Sequence, residues 1–448
     1  MRSLLRKTSI TLLLALTVMG LKAQQEFSLE QAIAYALKNN ENLKNARVAI
    51  DDADAQVYET RSDGLPQVNA TFGYTNNVEI PVSVLPASTF DPSAPEGETV
   101  AVKFGVQHQS NLGVNASQMI FDGSFFIGLK AAKKLREKVV VDEAKEQEDV
   151  REQVMKAYYL VLVNQIRTEL VETNIATLDS TLKDTKALYE NGFAEKIDVS
   201  RLQVQMNNLY AERSAVRQAI FSAKNLLKLT IGMPVENPIE ISGELEGFDF
   251  TYSQAEVEAF SVIDRLEVQQ IEYLKQLAEL DVKNVTSQYI PTVNFTAGWG
   301  RNSANDVFNN LWNNDREWFS SANIGVNVNI PIFDGLRKKY SIQRKRYQLE
   351  TLNNQSSLLV NNLRQQLDNS KVALDVNVER LEVQQENMEL AREVMEITRE
   401  KYTEGVGSNL ELVVADQDFK QAEVNYLVAL YDAIVAKIEL DKALGKLN

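Results

Sequence analysis

Two hydrophobic patterns alternate along this chain, one with a period of 3.5 residues and one with a period of 2. The longer pattern fills residues 150–189 in unbroken 4-3 spacing, and it recurs over residues 363–402. An asparagine stands at the same point of each run, Asn164 and Asn377. A run this long at period 3.5 predicts a coiled-coil helix whose polar positions fix the register.

Each of these long helices is followed by a turn and by a helix of about half its length. The turns read Tyr-x-x-Gly at 189–192 and 402–405, and the glycine supplies the left-handed residue that ends a helix. Two antiparallel helical hairpins are therefore predicted, and the long arm of the first, with about 66 residues, would span roughly 100 Å. Return helices are expected at 195–229 and 409–444, and further helices at 28–62 and 253–287.

The period-2 pattern predicts four β-strands, two in each half of the chain. Apolar residues alternate with Asn, Gly, Thr and Ser over about 67–76, 110–121, 292–300 and 322–333. One apolar face and one face of small polar groups is the pattern of a transmembrane barrel, with lipid outside and water inside. A soluble sandwich is the alternative, but its solvent face would usually carry Lys and Glu.

Four strands are too few to close a membrane barrel, which starts at about eight strands in a single chain. An open sheet edge in lipid leaves backbone groups unsatisfied, at a cost of several kcal/mol each. The chain is therefore expected to close its barrel with copies of itself. Two, three or four copies would give about 8, 12 or 16 strands, and the pattern leaves that number open.

The sequence contains an internal repeat, in which the same motifs occur twice in the same order. Ile-Phe-Asp-Gly at 120–123 recurs at 332–335, and the two Tyr-x-x-Gly turns are 213 residues apart. We predict a first repeat at 24–232, a linker at 233–252 and a second repeat at 253–448, with about 13 extra residues in the first repeat near 81–97. Each repeat passes from strand to helix at a junction, and the junction residues are Phe121, Asp122, Gly123, Phe333, Asp334 and Gly335.

Composition excludes several classes of function. The 448 residues include no Cys and one His, His108, which excludes disulfide frameworks and Cys-ligated metals. The sequence contains no nucleophile–base pair, cofactor loop or metal-ligand spacing, so neither an enzyme nor a cofactor or metal site is expected. The acidic balance of 62 Asp+Glu against 47 Lys+Arg argues against nucleic acid as a partner.

Residues 1–23 are predicted to be a secretory signal peptide, because basic residues precede an apolar stretch and Ala23 stands before the cleavage site. Removal of this segment takes away four basic residues, so the mature net charge is 43 − 62 = −19. After it, no run approaches the roughly 18 apolar residues that a transmembrane helix requires. Export is therefore expected, without a helical membrane anchor.

The ordered duplication of strand, Phe-Asp-Gly junction and Tyr-x-x-Gly hairpin resembles the TolC-type outer-membrane efflux protein family over essentially the whole mature chain. The resemblance implies a mixed α/β membrane protein, a homotrimer in which four strands per chain build a 12-stranded outer-membrane barrel continued by a coiled-coil tunnel through the periplasm. It implies a passive exit duct of a tripartite efflux or type I secretion system. The implied partners are a periplasmic adaptor, an inner-membrane efflux pump or ABC transporter, and outer-membrane lipid.

The resemblance also implies that the two hairpin turns are periplasmic tips, near 189–198 and 402–411, at which the tunnel closes. Tyr189 and Gly192 belong to the first tip and Gly405 to the second. In the family, an acidic residue that matches Asp198 bonds a tyrosine that matches Tyr402. These residues are therefore candidates for a gate.

Two further family features bear on the gate. An acidic constriction ring matches Glu411, whereas a second acidic ring of the best-known member falls on Val414. A latch arginine of that member falls on Gly407, so this link is absent here. The other interpretation of Asp198 and Glu411 is that they are solvated carboxylates at helix starts, where the helix dipole favours acids.

A different class of function remains as the alternative: an exported periplasmic coiled-coil adaptor, or a structural coiled-coil protein without a pore. An adaptor would need a β domain split around a single hairpin, whereas this chain predicts two hairpins and duplicated barrel-type strands. A structural protein would be extracted without detergent and would not conduct ions.

Overall fold

The structure, a computed structural model, describes residues 26–243, 245, 248–311 and 318–447. The predicted signal peptide at 1–23 lies outside the described residues. The chain divides into two compact units. Of the described residues, unit 1 contains those within 26–50, 138–272 and 354–447, and unit 2 contains those within Asp51–Glu137 and Tyr273–Asn353.

The described ranges contain eight α-helices and eight β-strands. The helices are α1 (Leu29–Asn39), α2 (Glu41–Ser62), α3 (Gly123–Glu190), α4 (Lys196–Ile231), α5 (Gln254–Ala259), α6 (Leu266–Ser287), α7 (Arg337–Thr403) and α8 (Asn409–Ala443). The strands are β1 (Glu26–Phe27), β2 (Gln67–Asn76), β3 (Val82–Pro86), β4 (Thr99–Lys103), β5 (His108–Phe121), β6 (Glu240–Ile241), β7 (Thr292–Asn305) and β8 (Phe319–Asn329). The long arms α3 and α7 have 68 and 67 residues, and the return arms α4 and α8 have 36 and 35.

The 4-3 pattern predicted most of the buried residues of the long arms, although Tyr189 at the end of the first seam is exposed and Tyr158 and Leu162 are buried outside it. In α3 the buried seam residues include Val150, Val154, Ala157, Val161, Val171, Leu178 and Leu182, and in α7 they include Leu363, Leu367, Leu374, Leu381 and Met395. Among the described residues, the two seam asparagines make no hydrogen bond across the seam. Each donates its amide hydrogen to the carbonyl four residues back in its own helix, Asn164 at 2.7 Å and Asn377 at 2.8 Å.

The helices expected at 28–62 and 253–287 are both interrupted. Asn40 separates α1 from α2, because its side-chain oxygen accepts hydrogen bonds from the backbone of Asn42 and Leu43 and so caps the start of α2. The amide of Asn40 donates to the carbonyl of Thr230 at 2.7 Å. In the second segment α5 ends at Ala259, a 3₁₀ turn follows, and α6 begins at Leu266.

A buried ion pair joins α3 to the start of α6 in unit 1. The Arg265 side chain is 3% exposed and the Glu148 side chain 1% exposed, and Arg265 Nη1 lies 3.1 Å from Glu148 Oε1. Arg265 also donates to Glu267 and to the carbonyl of Lys442. Burial raises the pKa of Glu148, although the charge of Arg265 opposes that rise. Removing either partner would leave an uncompensated buried charge, so the pair holds these elements in one arrangement.

The segment 233–252 is more than the expected linker. Its strand β6 pairs in parallel with β1, and Ile239 and Ile241 belong to the main hydrophobic core. Tyr158 of α3 donates towards the carbonyls of Phe27 and Ser242 on either side of this pair, at 3.1 and 2.5 Å. Burial raises the pKa of Tyr158 to about 12, so the hydroxyl keeps its proton and the two short strands stay attached to α3.

Unit 2 contains a four-stranded antiparallel sheet in the order β2-β5-β7-β8. Directly paired residues sort the sheet into two faces. On one face the pairs are apolar, such as Phe72 with Leu112, Val114 with Trp299, and Phe295 with Val326. On the other face they are small and polar, such as Asn69 with Asn115, Thr296 with Gly325, and Asn294 with Asn327.

The apolar face of this sheet is uncovered in the described chain, and Ile324 is 77% exposed. The sheet is also open at both edges, since β2 pairs only with β5 and β8 only with β7 among the described strands. A soluble sandwich would cover such a face with a second sheet. The predicted alternation of apolar and small polar residues is therefore present. Within the described residues, the apolar face of the sheet does not enclose a hydrophobic core.

Two strand ends differ from expectation. β8 ends at Asn329 rather than at 333, because Pro331 has no backbone N–H to continue the ladder. β7 continues to Asn305, five residues beyond the predicted 300. The stretch near 81–97, where the extra residues of the first half were expected, contains β3, which forms an antiparallel hairpin with β4 just beyond that stretch; this hairpin was not predicted.

Within the described ranges, no helix combines the length and the apolar character that a membrane span needs. In the same ranges, no group of three or more His, Asp or Glu residues is placed to hold a metal ion.

We predict that Glu423 of α8 reduces stability at neutral pH. The residue is buried, Asn174 of α3 donates to it at 3.4 Å, and burial raises its pKa above the ordinary 4.5. A raised carboxyl pKa favours the folded state fully below about pH 4.5, and this contribution is lost as the pH rises through the folded value. Glu423→Gln should therefore raise the midpoint of helix melting at pH 7 by about 1–3 °C and change it little at pH 4.

The measurement is thermal unfolding of the detergent-solubilised protein followed by circular dichroism at both pH values. Asp418→Asn on the exposed side of the same helix is the matched control and should leave both midpoints unchanged. An equal shift at pH 4 and pH 7 would contradict the assignment to this buried carboxyl.

Candidate functional site at the hairpin tips

The first tip is a short turn between α3 and α4. Gly192 has φ +82°, and the backbone N–H groups of Gly192 and Phe193 bond back to Tyr189 and Leu188 at 3.0 and 2.8 Å. These bonds satisfy the last carbonyls of α3 in the manner of a Schellman ending. Tyr189 and Phe193 are left exposed at the turn.

Asp198 is drawn into the start of α4. It occupies the third position of the helix, and its carboxylate accepts the backbone N–H of Glu195 at 3.2 Å in a capping box. Its other oxygen lies 3.8 Å from Arg201 on the next turn. The local geometry is therefore that of a helix-start carboxylate, which the helix dipole favours.

The second tip repeats this geometry between α7 and α8. Gly405 has φ +77°, and its N–H bonds to the carbonyl of Tyr402 at 3.1 Å. Ser408 and Glu411 form a reciprocal capping box, in which the Ser408 hydroxyl accepts the Glu411 N–H at 3.2 Å and the Glu411 carboxylate accepts the Ser408 N–H at 3.4 Å. Glu411 is exposed.

Gly407 leaves little room for a side chain. A Cβ atom at this position would lie 3.0 Å from the backbone nitrogen of Tyr402 and 3.1 Å from the carbonyl carbon of Lys401. Its N–H also bonds to the Lys401 carbonyl at 2.9 Å. An arginine at this position, as in the best-known member of the family, would therefore press against the backbone of Lys401 and Tyr402, which is a steric reason for the glycine.

The two tips meet through Tyr402 and Thr185, whose hydroxyl oxygens are 3.2 Å apart. Within the described chain, Asp198 and Tyr402 do not bond to each other, since Asp198 is engaged by Glu195 and Arg201. Sequence reasoning missed Thr185 as a partner. The signal that could have found it is its place in the α3 seam, where a buried hydroxyl needs a bonding partner from the facing helix.

A groove of about 730 Å³ lies beside this contact, lined by the last turns of α3 together with Phe193, Arg399, Tyr402 and Leu412. Two polar groups at this end of the hairpins are buried without a hydrogen-bond partner in the described chain, the Arg399 Nε atom and the side-chain amide of Asn409. Buried polar groups are normally bonded. The tips are therefore incompletely satisfied within one chain.

Near Val414, where the second acidic ring of the family falls, the return arm carries a neutralised carboxylate. Val414 is exposed, and Asp416 on another face of α8 is paired with Lys420. Val413 accepts a hydrogen bond from Gln205 of α4 at 3.2 Å, so the starts of the two return arms are also in contact.

The two strand–helix junctions differ from each other. At the first, Asp122 accepts the N–H of Ser124 at 2.7 Å, and α3 begins directly at Gly123, next to Phe121 at the end of β5. A Cβ at Gly123 would lie 3.0 Å from the Cβ of Ser287, so α6 packs closely there.

At the second junction the backbone is left-handed at two successive residues, Gly335 with φ +66° and Leu336 with φ +68°. Asp334 accepts the N–H of Lys338 at 3.0 Å and lies 3.1 Å from its ammonium group, which compensates for that strained entry into α7. Phe333 is 80% exposed.

Comparison with known proteins gives independent information on the family of this chain. The family model for outer membrane efflux proteins matches residues 32–233 and 263–446. The chain is 23% identical over 305 residues to the outer membrane protein TolC of Vibrio cholerae, and 23% identical over 337 residues to the outer membrane efflux protein BepC of Brucella suis. These alignments cover 67% and 74% of this chain but 64% and 66% of the relatives, slightly less than two thirds of either.

Among solved structures, the fold resembles that of the CmeC outer membrane channel of Campylobacter jejuni, with a TM-score of 0.72 and 16% identity over 93% of this chain and 85% of that one. Identity this low supports the fold alone. The family match, in contrast, spans both hairpins, both junctions and all four strands of the large sheet. The chain therefore belongs to the outer membrane efflux protein family.

Proposed function

We propose that three copies of this chain form a passive exit duct in the outer membrane, which receives substrates from a periplasmic adaptor and an inner-membrane pump of a tripartite efflux or type I secretion system. The observation that carries the proposal is the four-stranded sheet with one uncovered apolar face and two open edges. No catalytic step is part of the proposal.

Closure of the sheet follows from its strand directions. All three strand pairs are antiparallel, so β2 and β8 run in opposite directions. The β8 edge of one copy can therefore pair with the β2 edge of the next in the same antiparallel mode. Three copies of four strands make a 12-stranded barrel with the apolar face towards lipid and the Asn, Gly, Thr and Ser face towards water.

The helices of unit 1 also support assembly of the chain with further copies of itself. Besides its buried seam, α7 carries a second apolar stripe at heptad-like spacing that is exposed in the single chain: Val372, Val376, Val383, Leu390, Val394 and Ile397. A helix with two apolar stripes needs a second helical partner. A neighbouring copy supplies one, and the coiled-coil hairpins then form a tunnel wall.

An internal duplication accounts for the paired geometry of the two halves. Gly192 and Gly405 have φ values of +82° and +77°, and Gly232 and Gly445, also 213 residues apart, have +75° and +72°. The difference between the two junctions is compatible with divergence of the copies after duplication. The proposed repeats are residues 24–232 and 253–448.

The tips are proposed as the gate and as the surface that meets the adaptor. Tyr189 and Gly192 with Gly405 shape the two turns, Tyr402 and Thr185 hold them together, and the groove beside them is incompletely satisfied within one chain. An adaptor that inserts there would exchange the bond between the tips for its own contacts. Energy has to come from the pump, because the sequence contains no phosphate-binding loop.

The first test is the state of assembly and the conductance. We expect that the protein is extracted only with detergent, that its mass corresponds to three chains, and that it conducts ions across a planar bilayer. A water-soluble monomer without conductance would overturn the proposal and would favour a structural coiled-coil protein.

The second prediction concerns the bond between the tips. Tyr402→Phe and Thr185→Val each remove the same hydrogen bond, so each should raise the open fraction in bilayer recordings by about fivefold, the factor that about 1 kcal/mol produces. The double variant should open no more than either single variant. Thr181→Val, one turn earlier on α3 and bonded within its own helix, is the control.

A variant of Asp198 is measured in the same bilayer recordings. Because it caps α4 in this structure, Asp198→Ala should add to the effect of Tyr402→Phe rather than replace it. If Asp198→Ala and Tyr402→Phe instead prove non-additive, a direct latch between these two residues forms in the closed assembly. Unchanged, closed-like conductance in all variants would rule out a gate at this contact.

The third prediction concerns Glu411. Three exposed carboxylates around a narrow axis attract cations and repel one another. Glu411→Gln should therefore lower the cation-over-anion preference, measured as the reversal potential in a KCl gradient, and weaken block by divalent cations. Glu404→Gln in the adjoining turn is the matched control, and an equal loss of preference in both variants would remove Glu411 as the ring.

A further inference from the structure

Both strand–helix junctions are followed by basic stretches in a chain that is acidic overall. Between Asp334 and Glu350 the sequence has six Lys or Arg residues and no acidic one, and between Asp122 and Glu137 it has four and none. The net charge of the whole chain is −15. The positive charge is therefore concentrated just beyond the end of the sheet in unit 2.

Some of these residues are neutralised by nearby carboxylates. Lys338 pairs with Asp334 at 3.1 Å and Lys345 with Asp281 at 2.6 Å, and in the first stretch Arg136 pairs with Asp54 and Lys134 with Glu137. The six others are exposed and have no acidic partner among the described residues. These six form what we call the basic band: Lys130, Lys133, Arg337, Lys339, Arg344 and Arg346.

An exposed apolar collar precedes the basic band at each junction. At the second junction the collar consists of Ile330, Ile332, Phe333, Leu336 and Tyr340, and Ile332 is 93% exposed. At the first junction it consists of Ile120, Phe121 and Phe126. Large exposed apolar clusters of this kind mark an interaction surface rather than ordinary exposed side chains.

The order of these features matches the edge of a bilayer. The apolar sheet face comes first, the collar with its aromatic rings second, and the basic band third, as in hydrocarbon, interface and headgroup layers. Along α7 the band from Arg337 to Arg346 rises roughly 14 Å. Lys and Arg side chains are long enough to lay their stems on the collar and turn their charges to the headgroups.

We propose that the basic band binds the phosphate groups of anionic phospholipids in the leaflet that borders the periplasm. The proposal rests on the proposed function in one respect, namely that the apolar face of the sheet meets lipid. Each Lys or Arg near an anionic membrane surface strengthens attachment by about fivefold. An acidic protein is the less suitable occupant, because the band is continuous with an apolar collar at both junctions.

The test counts the lipids that stay bound to the purified full-length protein in detergent, by native mass spectrometry after titration with phosphatidylglycerol or phosphatidylcholine of equal chain length. The wild type should retain phosphatidylglycerol in preference. The variant Arg337→Gln, Lys339→Gln, Arg344→Gln, Arg346→Gln should lower this preference by about tenfold or more. Exchange of the three arginines for lysine should keep it, because the attraction depends on charge.

The charge-matched control replaces Lys183, Lys186, Arg364 and Lys371 of unit 1 by glutamine, and it should leave the preference unchanged. Circular dichroism checks folding, and if the fourfold variant is unfolded, the pair Arg344→Gln, Arg346→Gln should show an intermediate loss. No lipid preference in the wild type, an undiminished preference in the band variant, or an equal loss in the control would overturn the proposal. So would band-dependent sedimentation with peptidoglycan in the absence of a lipid preference.

Bilayer conductance separates this proposal from the proposed function. The band variant should still conduct, since its sheet is unaltered. A wild type that retains phosphatidylglycerol but never conducts would overturn the duct and leave the lipid site. A wild type that conducts without any lipid preference would overturn the lipid site and leave the duct.

Discussion

Unpaired backbone groups at the edges of one sheet are the constraint on which the remaining structure depends. β2 and β8 each leave a row of N–H and C=O groups without partners in the described chain, and the face between them is apolar. In water such an edge invites association, and in lipid each unsatisfied group costs several kcal/mol. These unpaired groups are the physical reason for the proposed closed assembly of copies. The second apolar stripe of α7 gives the same reason for the helices.

At the hairpin tips, local helix chemistry limits which residues can serve the proposed gate. Asp198 and Glu411 each occupy the third position of a helix. Each carboxylate accepts the N–H of the cap residue and so already stabilises the start of its own helix. The contact between the tips is made instead by two neutral hydroxyls, those of Tyr402 and Thr185. A single neutral hydrogen bond contributes about 1 kcal/mol, a strength that fits the reversible opening proposed for the tips.

Charge is distributed unevenly along the chain, and the distribution follows the environment of each part. In unit 1 the carboxylates of Glu152 and Glu267 are half-buried, and although burial alone would raise their pKa values, hydrogen bonds from Lys156, Lys442 and Arg265 lower them below the ordinary range. These pairs stabilise the fold above about pH 4.5, and their contribution is lost as the pH falls through the lowered values. At the junctions of unit 2 the excess is basic and exposed, which is the arrangement that an anionic surface attracts.

The sequence by itself determined the two helical hairpins, the four strands of the large sheet and the faces of these elements. The 4-3 spacing predicted most of the buried residues of α3 and α7 because a helix seam is a local, periodic property, and the strict alternation predicted which residues share each face of the sheet because side chains on a strand alternate. Tertiary structure alone decided the rest: that Asn40 breaks a helix by capping the next one, that residues 240–241 join β1, that Thr185 meets Tyr402, and that Arg265 pairs with Glu148. Most of these contacts join residues far apart in the chain, and at Asn40 a side-chain hydrogen bond replaces a backbone bond of the helix. The periodicity of the sequence carries no information about either kind of contact.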